Sequence, residues 1–251
     1  MSDASPRIVL TGGPGGGKST AAAFLAREFA ERLWVLPEAA TLLYQGGLPR
    51  GSSEEGVRVA QRCIFTVQRS IEHAHAVEQR GRVQLCDRGT VDGAAYWPGG
   101  PDAFFAAMGT SHERELARYD AVVFLRTAAT CPGGYERDVR VRTEARDEAL
   151  ALDGAVLDLY RDHPQLVVIP AEEAFLGKLD RVADAVRSVL AGIGTDVEAA
   201  SSRPIPARVG PVPGPDPLGV VASALRRGVS SRGEPARDAA RPRPAGASAP
   251  R

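Results

Sequence analysis

The chain has 251 residues, 43% apolar and 25% charged, a balance that fits one globular domain plus an appendage and excludes a fibrous or wholly disordered chain. Its 31 basic and 31 acidic residues cancel, but nine Arg against three acids fall within 203–251. The first 202 residues are therefore net acidic, which argues against a nucleic-acid-binding core.

The start, Met1 to Pro6, is polar and carries no apolar signal segment, and no stretch approaches the roughly 20 apolar residues of a membrane span. Arg7–Thr11 then predicts a short buried strand. Gly12-Gly13-Pro14-Gly15-Gly16-Gly17-Lys18-Ser19-Thr20 follows at once and fits G-x-x-x-x-G-K-[ST]. A helical stretch, Thr20 to Glu31, comes next, with Ala21, Phe24, Leu25 and Phe29 on one face. Strand, glycine-rich loop and helix together form a phosphate-binding loop. Its backbone amides and the helix N-terminus cradle phosphates. Lys18 is expected on the β- and γ-phosphates and the Ser19 hydroxyl on Mg²⁺. Only Lys18 and Lys178 among the basic residues are lysines, the other 29 being Arg. A compact ammonium at Lys18 does what a planar guanidinium cannot.

Leu33–Leu36 predicts a second strand, ending in Pro37-Glu38-Ala39-Ala40. Strand ends of an open parallel sheet face the ligand crevice. Glu38 there either accepts the proton of an acceptor hydroxyl or caps the next helix. A carboxylate at that spot favours a neutral or cationic acceptor over a nucleoside monophosphate. Glu55 to Gln79 reads as a long helix, on which Gln68 could read an amide or base edge.

Val83–Cys86 predicts a third strand, followed by Asp87-Arg88-Gly89. Asp87 stands at the Walker B position, where it would help hold Mg²⁺, or it is a turn former. Arg88 could neutralise phosphate charge. Tyr96 and Trp97 either stack on a planar substrate ring or pack in the core. Ala121–Leu125 and Leu166–Ile169 complete five strands. Between them lie Arg137, Arg140, Arg142 and Arg146, either a lid closing over transferred phosphate or a salt-bridged helix face; Arg140 and Arg142 are the less crowded by acids. A last helix is expected over 171–190, with Phe175, Leu179, Val182, Val186 and Leu190 on one face.

Strands alternating with helices predict an α/β sandwich around a parallel sheet over 1–194. Residues 195–251 read as a disordered tail: ten of the 19 prolines fall within 203–251. That basic tail could contact a partner. Cys63, Cys86 and Cys131 form no C-x-x-C pair and fit reduced thiols in a cytoplasm.

The loop Thr11–Thr20, Pro37-Glu38-Ala39-Ala40 and Cys86-Asp87-Arg88-Gly89 together resemble the NadR-type P-loop domain, an AAA-type domain shared by bacterial ribosylnicotinamide kinases and an animal protein of photoreceptor channel trafficking. The resemblance covers residues 6–192. It extends to nucleoside and nucleotide kinases, and implies strand order 2-3-1-4-5, Mg-ATP as donor and a helical lid. By that likeness Glu38 is the catalytic carboxylate. Phe65-Thr66-Val67-Gln68 resembles the deoxynucleoside kinase helix whose Gln reads the base. Asp87-Arg88-Gly89 departs from the Glu-Arg-Ser of those kinases, and no adenylyltransferase-like domain accompanies the loop within this sequence. The expected function is transfer of the γ-phosphoryl group of Mg-ATP to a hydroxyl of a nucleoside-like acceptor. The alternative is a regulatory ATPase or GTPase with no small acceptor. Arg126-Thr127-Ala128-Ala129-Thr130 stands where a GTPase would carry its N-K-x-D guanine motif.

Overall fold

The structure is a computed structural model that describes residues 5–78, 81–131, 146–172 and 175–197. Arg140, Arg142 and the tail from 198 onward lie outside the described residues.

Five strands form where the apolar runs predict them: β1 Arg7–Thr11, β2 Leu33–Leu36, β3 Val83–Asp87, β4 Ala121–Leu125 and β5 Leu166–Ile169. All four pairings are parallel, in the order β2-β3-β1-β4-β5. The three inner strands are buried on both faces, which is why they read as continuous apolar runs rather than alternating ones.

Alternate residues of the three inner strands serve two separate cores. Ile8, Leu10, Leu85 and Val123 pack with Leu25 of α1 (Lys18–Glu28) and with Val182, Val186 and Leu190 of α7 (Phe175–Val197). Val9, Cys86, Val122 and Phe124 face the opposite way. They meet Phe65 of α3 (Glu54–Glu78), Phe104 of α4 (Pro101–Ala107), Leu116 of α5 (His112–Leu116) and Tyr160 of α6 (Arg146–Tyr160). The result is a helix–sheet–helix sandwich. Phe104 stacks edge-on against Phe65, Trp97 and Phe105, anchoring the second core.

Several helices differ from expectation at their ends. The first begins at Lys18 rather than Thr20, because Gly17, with φ 84°, turns the chain directly into it. The last, expected over 171–190, spans Phe175–Val197 and so takes in the first three residues of the stretch 195–251 read as tail. A short helix α2, Ala39–Gln45, follows β2.

Register explains why chemistry collects at one edge. Leu10 pairs with Asp87, Leu36 with Cys86 and Thr11 with Phe124. The segments after β1, β2, β3 and β4 therefore leave the sheet side by side.

Ending the chain after Val197 should leave a cooperatively unfolding protein, since Leu190 is the last fully buried residue described in α7. A thermal melt of that shortened chain checks this; a non-cooperative melt would contradict it.

Candidate active site

The phosphate loop is seated on the end of β4. A Cβ on Gly12 would lie 2.0 Å from the Leu125 carbonyl oxygen, and one on Gly16 would lie 2.7 Å from the same atom. Only glycine permits this approach. Thr127, just beyond β4, donates its hydroxyl to the Pro14 carbonyl. From α6, the fully buried Asp153 accepts from the amides of Gly13 (3.1 Å) and Thr127 (2.9 Å) and pairs with Arg126 Nε (2.5 Å). From α7, Lys178 donates to the carbonyls of Gly16 (2.8 Å) and Arg126 (2.7 Å). Sequence reasoning named neither Asp153 nor Lys178 as a site residue.

Lys18 curls over its own loop and donates to the carbonyls of Gly12 (2.9 Å) and Gly13 (2.8 Å). Burial and the nearby Arg88 guanidinium pull its ammonium down to about 7, against the pull of Asp87, Glu38 and Asp92. Ser19 and Thr20 are exposed in the first turn of α1, facing the same cavity as Pro14, Gly15, Gly16 and Gly17.

Glu38 occupies the N-cap position of α2, yet its side chain makes no capping bond to the helix amides. Instead Oε1 accepts from Arg88 Nε at 2.6 Å and Oε2 from the Thr41 hydroxyl at 2.5 Å. Burial opposes its charge, but the Arg88 guanidinium, Thr41 and Lys18 hold the carboxyl below its ordinary value. Arg88 reaches this position from a left-handed backbone, φ 69°, unusual outside glycine. Its Nη1 is buried with no hydrogen-bond partner. Burial works against its charge too, yet Tyr96, Asp92 and Glu38 hold the proton more tightly than water would.

Asp87 ends β3, is 8% exposed and is not among the residues that line the cavity. Burial and then the Glu38 carboxylate push its pKa up to about 6. Asp92 braces the loop after β3: it accepts from the Thr11 hydroxyl (2.6 Å) and from the Gly89 amide (3.0 Å).

A cavity of ≈ 800 Å³ joins the phosphate loop to a second region walled by α2, α3 and the 3₁₀ turn Asp92–Tyr96. Glu38 and Arg88 stand at the junction; Tyr44, Gln61, Phe65, Gln68 and Tyr96 line the far part. Gln61, Phe65 and Gln68 share one buried face of α3, continued by Glu72. Glu72 Oε1 accepts from Gln68 Nε2 at 3.0 Å, which fixes the orientation of the Gln68 amide. Trp97, read from the sequence as either stacking on a substrate ring or packing in the core, does not line the cavity. It is buried against Phe104, with Arg62 over its ring, and serves as core.

A glycine-rich loop and lysine at the head of a parallel sheet ordered 2-3-1-4-5 define a P-loop protein of kinase-like fold. The sequence matches the model of the AAA domain family over residues 7–174, and the chain belongs to that family. No curated protein matches the sequence. Among solved structures, a deoxyadenosine kinase from M. mycoides with bound dATP is similar at 13% identity and a TM-score of 0.52, covering 72% of this chain and 99% of that one. That likeness establishes the shared fold.

The raised pKa of Asp87 has a sign for stability. Its folded carboxyl titrates near 6 and its ordinary value is 3.8, so the folded state holds a proton that the unfolded state has lost between those pH values. Stability contributed at this position therefore falls as pH rises from about 4 to 6. Asp87→Asn should stabilise the unliganded protein at pH 7.5, on the order of 1–3 kcal/mol. The gain should shrink below pH 5, as read by denaturant melts at both pH values.

Proposed function

We propose that this protein is a small-molecule kinase that moves the γ-phosphoryl group of Mg-ATP to a hydroxyl of a nucleoside-like acceptor. The observation that carries the reading is the Glu38–Arg88 pair, set where the phosphate loop opens into the second part of the cavity. A helix cap would turn the Glu38 carboxylate to the amides of α2; instead it faces the cavity. The M. mycoides neighbour, a deoxyadenosine kinase with bound dATP, supports an adenine nucleotide and a nucleoside-type partner.

The donor's phosphates lie on the loop amides, with Lys18 leaving the Gly12 and Gly13 carbonyls to meet them. Anionic phosphate raises the Lys18 pKa from about 7 and restores its full charge. Mg²⁺ fits the hard oxygen donors here. The Ser19 hydroxyl and Asp87 would hold it, and it would neutralise charge on the transferred group. Among the described residues no cluster of three His, Cys, Asp or Glu side chains forms a metal cage, and Mg²⁺ commonly relies on one or two protein ligands plus phosphate.

The acceptor lies over Phe65 and between Tyr44 and Tyr96, with Gln68 on its polar edge. The Glu38 carboxylate, ionised at neutral pH, aligns the acceptor hydroxyl and takes its proton as the new P–O bond forms. Arg88 Nη1, buried and unpartnered, would donate to an oxygen of the transferred group. Arg140 and Arg142 would close over that group. A nucleoside such as ribosylnicotinamide, cationic and bearing a free hydroxyl, suits the negative Glu38. The cytoplasm suits its reduced cysteines, and no described helix is long and apolar enough to cross a membrane.

ADP release with Mg-ATP should rise on adding an acceptor from a nucleoside panel that includes ribosylnicotinamide. Glu38→Gln should lower that turnover by about 10²–10⁴ with nucleotide affinity retained. Lys18→Ala should abolish it. An active Lys18→Ala protein would sink the reading, and nucleotide binding without acceptor stimulation would favour a regulatory NTPase.

A further inference from the structure

The chain contains two lysines, and both donate to carbonyl oxygens of the same phosphate loop. Lys18 belongs to the loop. Lys178 arrives 162 residues after Gly16, from the first turn of α7, and is 3% exposed. Two costs attach to a cation there. Burial pulls its pKa down. A positive charge near a helix N-terminus also opposes the helix dipole. The Gly16 and Arg126 carbonyls offset those costs through charged hydrogen bonds, and Asp153, which grips the Gly13 amide, adds opposite charge nearby.

The geometry has a direct consequence for the loop. In a trans peptide the carbonyl and the following N–H point in opposite directions. Drawing the Gly16 carbonyl back to Lys178 turns the Gly17 N–H the other way, toward the cavity that Gly17 lines. Lys178 does not line that cavity. Its second bond ties the loop to the chain just past β4, where Asp153 also holds Thr127. A buried cation on one carbonyl and a buried anion on one amide thus fix the loop at two points. An ammonium radiates donors toward carbonyls from two segments, whereas the planar fork of Arg, used at 29 other positions, suits one flat partner.

We propose that Lys178 is a positioning residue for phosphate binding: it holds the Gly16 peptide so that the loop amides face the phosphates before nucleotide arrives. The role rests on the phosphate-binding reading of the loop. It concerns nucleotide affinity and loop order, independently of any acceptor.

The test uses the full chain. Lys178→Ala should bind Mg-ADP roughly ten-fold or more weakly by calorimetry, the scale of one charged hydrogen bond. Amide hydrogen exchange in the peptide spanning 12–20 should quicken while the β1 and β4 peptides stay protected. Methylammonium in the buffer should restore both properties, and Lys178→Gln, which keeps two N–H donors, should fall between Ala and wild type. If Lys178→Ala does not fold, Lys178→Gln decides on the same two readouts. Wild-type affinity and wild-type loop exchange in the variants, even with a lowered melting temperature, would overturn the proposal and leave Lys178 a scaffold residue. Failure of wild-type protein to bind Mg-ADP would instead count against the proposed function; loop exchange would still decide whether Lys178 orders the loop.

Discussion

The Leu125 carbonyl leaves no room for a side chain on Gly12 or Gly16, and the site depends on that contact. It seats the phosphate loop on the end of β4, a strand buried along its whole length. A loop free in solvent would lose conformational entropy on every binding event. Here the sheet, Asp153 and Lys178 meet that cost during folding, so the anion site exists before its ligand.

Parallel topology supplies the rest. Because β2, β3, β1 and β4 run the same way in register, the residues that follow them emerge at one edge. This concentrates Lys18, Glu38, Asp87, Arg88 and Asp92 in partly dehydrated space. The environment then separates the carboxylates. Glu38, paired with Arg88, is held acidic and ionised; Asp87, buried and repelled by Glu38, is pushed up to about 6. In the proposed kinase, the ionised Glu38 would serve the acceptor hydroxyl and Asp87 the cation. The left-handed backbone at Arg88 and its unpartnered Nη1 are further costs that the surrounding fold carries at this site.

Much of this was legible in the sequence because it is local. Five apolar runs gave five strands, and the glycine spacing with Lys18 marked the loop. The strand order came from resemblance to kinases, and the structure has it. Glu38 was readable as a strand-end acid, but a helix cap and a cavity carboxylate have the same sequence; only its bonds to Arg88 and Thr41 distinguish them. Trp97 stayed open between ring stacking and core because an aromatic beside a motif carries no mark of the side it faces; its contact with Phe104 assigns it to the core. Asp153 and Lys178 were invisible for a different reason: they meet the loop across 140 and 162 residues, with no motif of their own. The one available signal was compositional, since a chain this rich in Arg keeps only two lysines.

The most direct test of the kinase reading follows the label from [γ-³²P]ATP in the presence of Mg²⁺ and single nucleosides. The account predicts label in a phosphomonoester of at least one acceptor. Label appearing only as inorganic phosphate across the whole panel would contradict it.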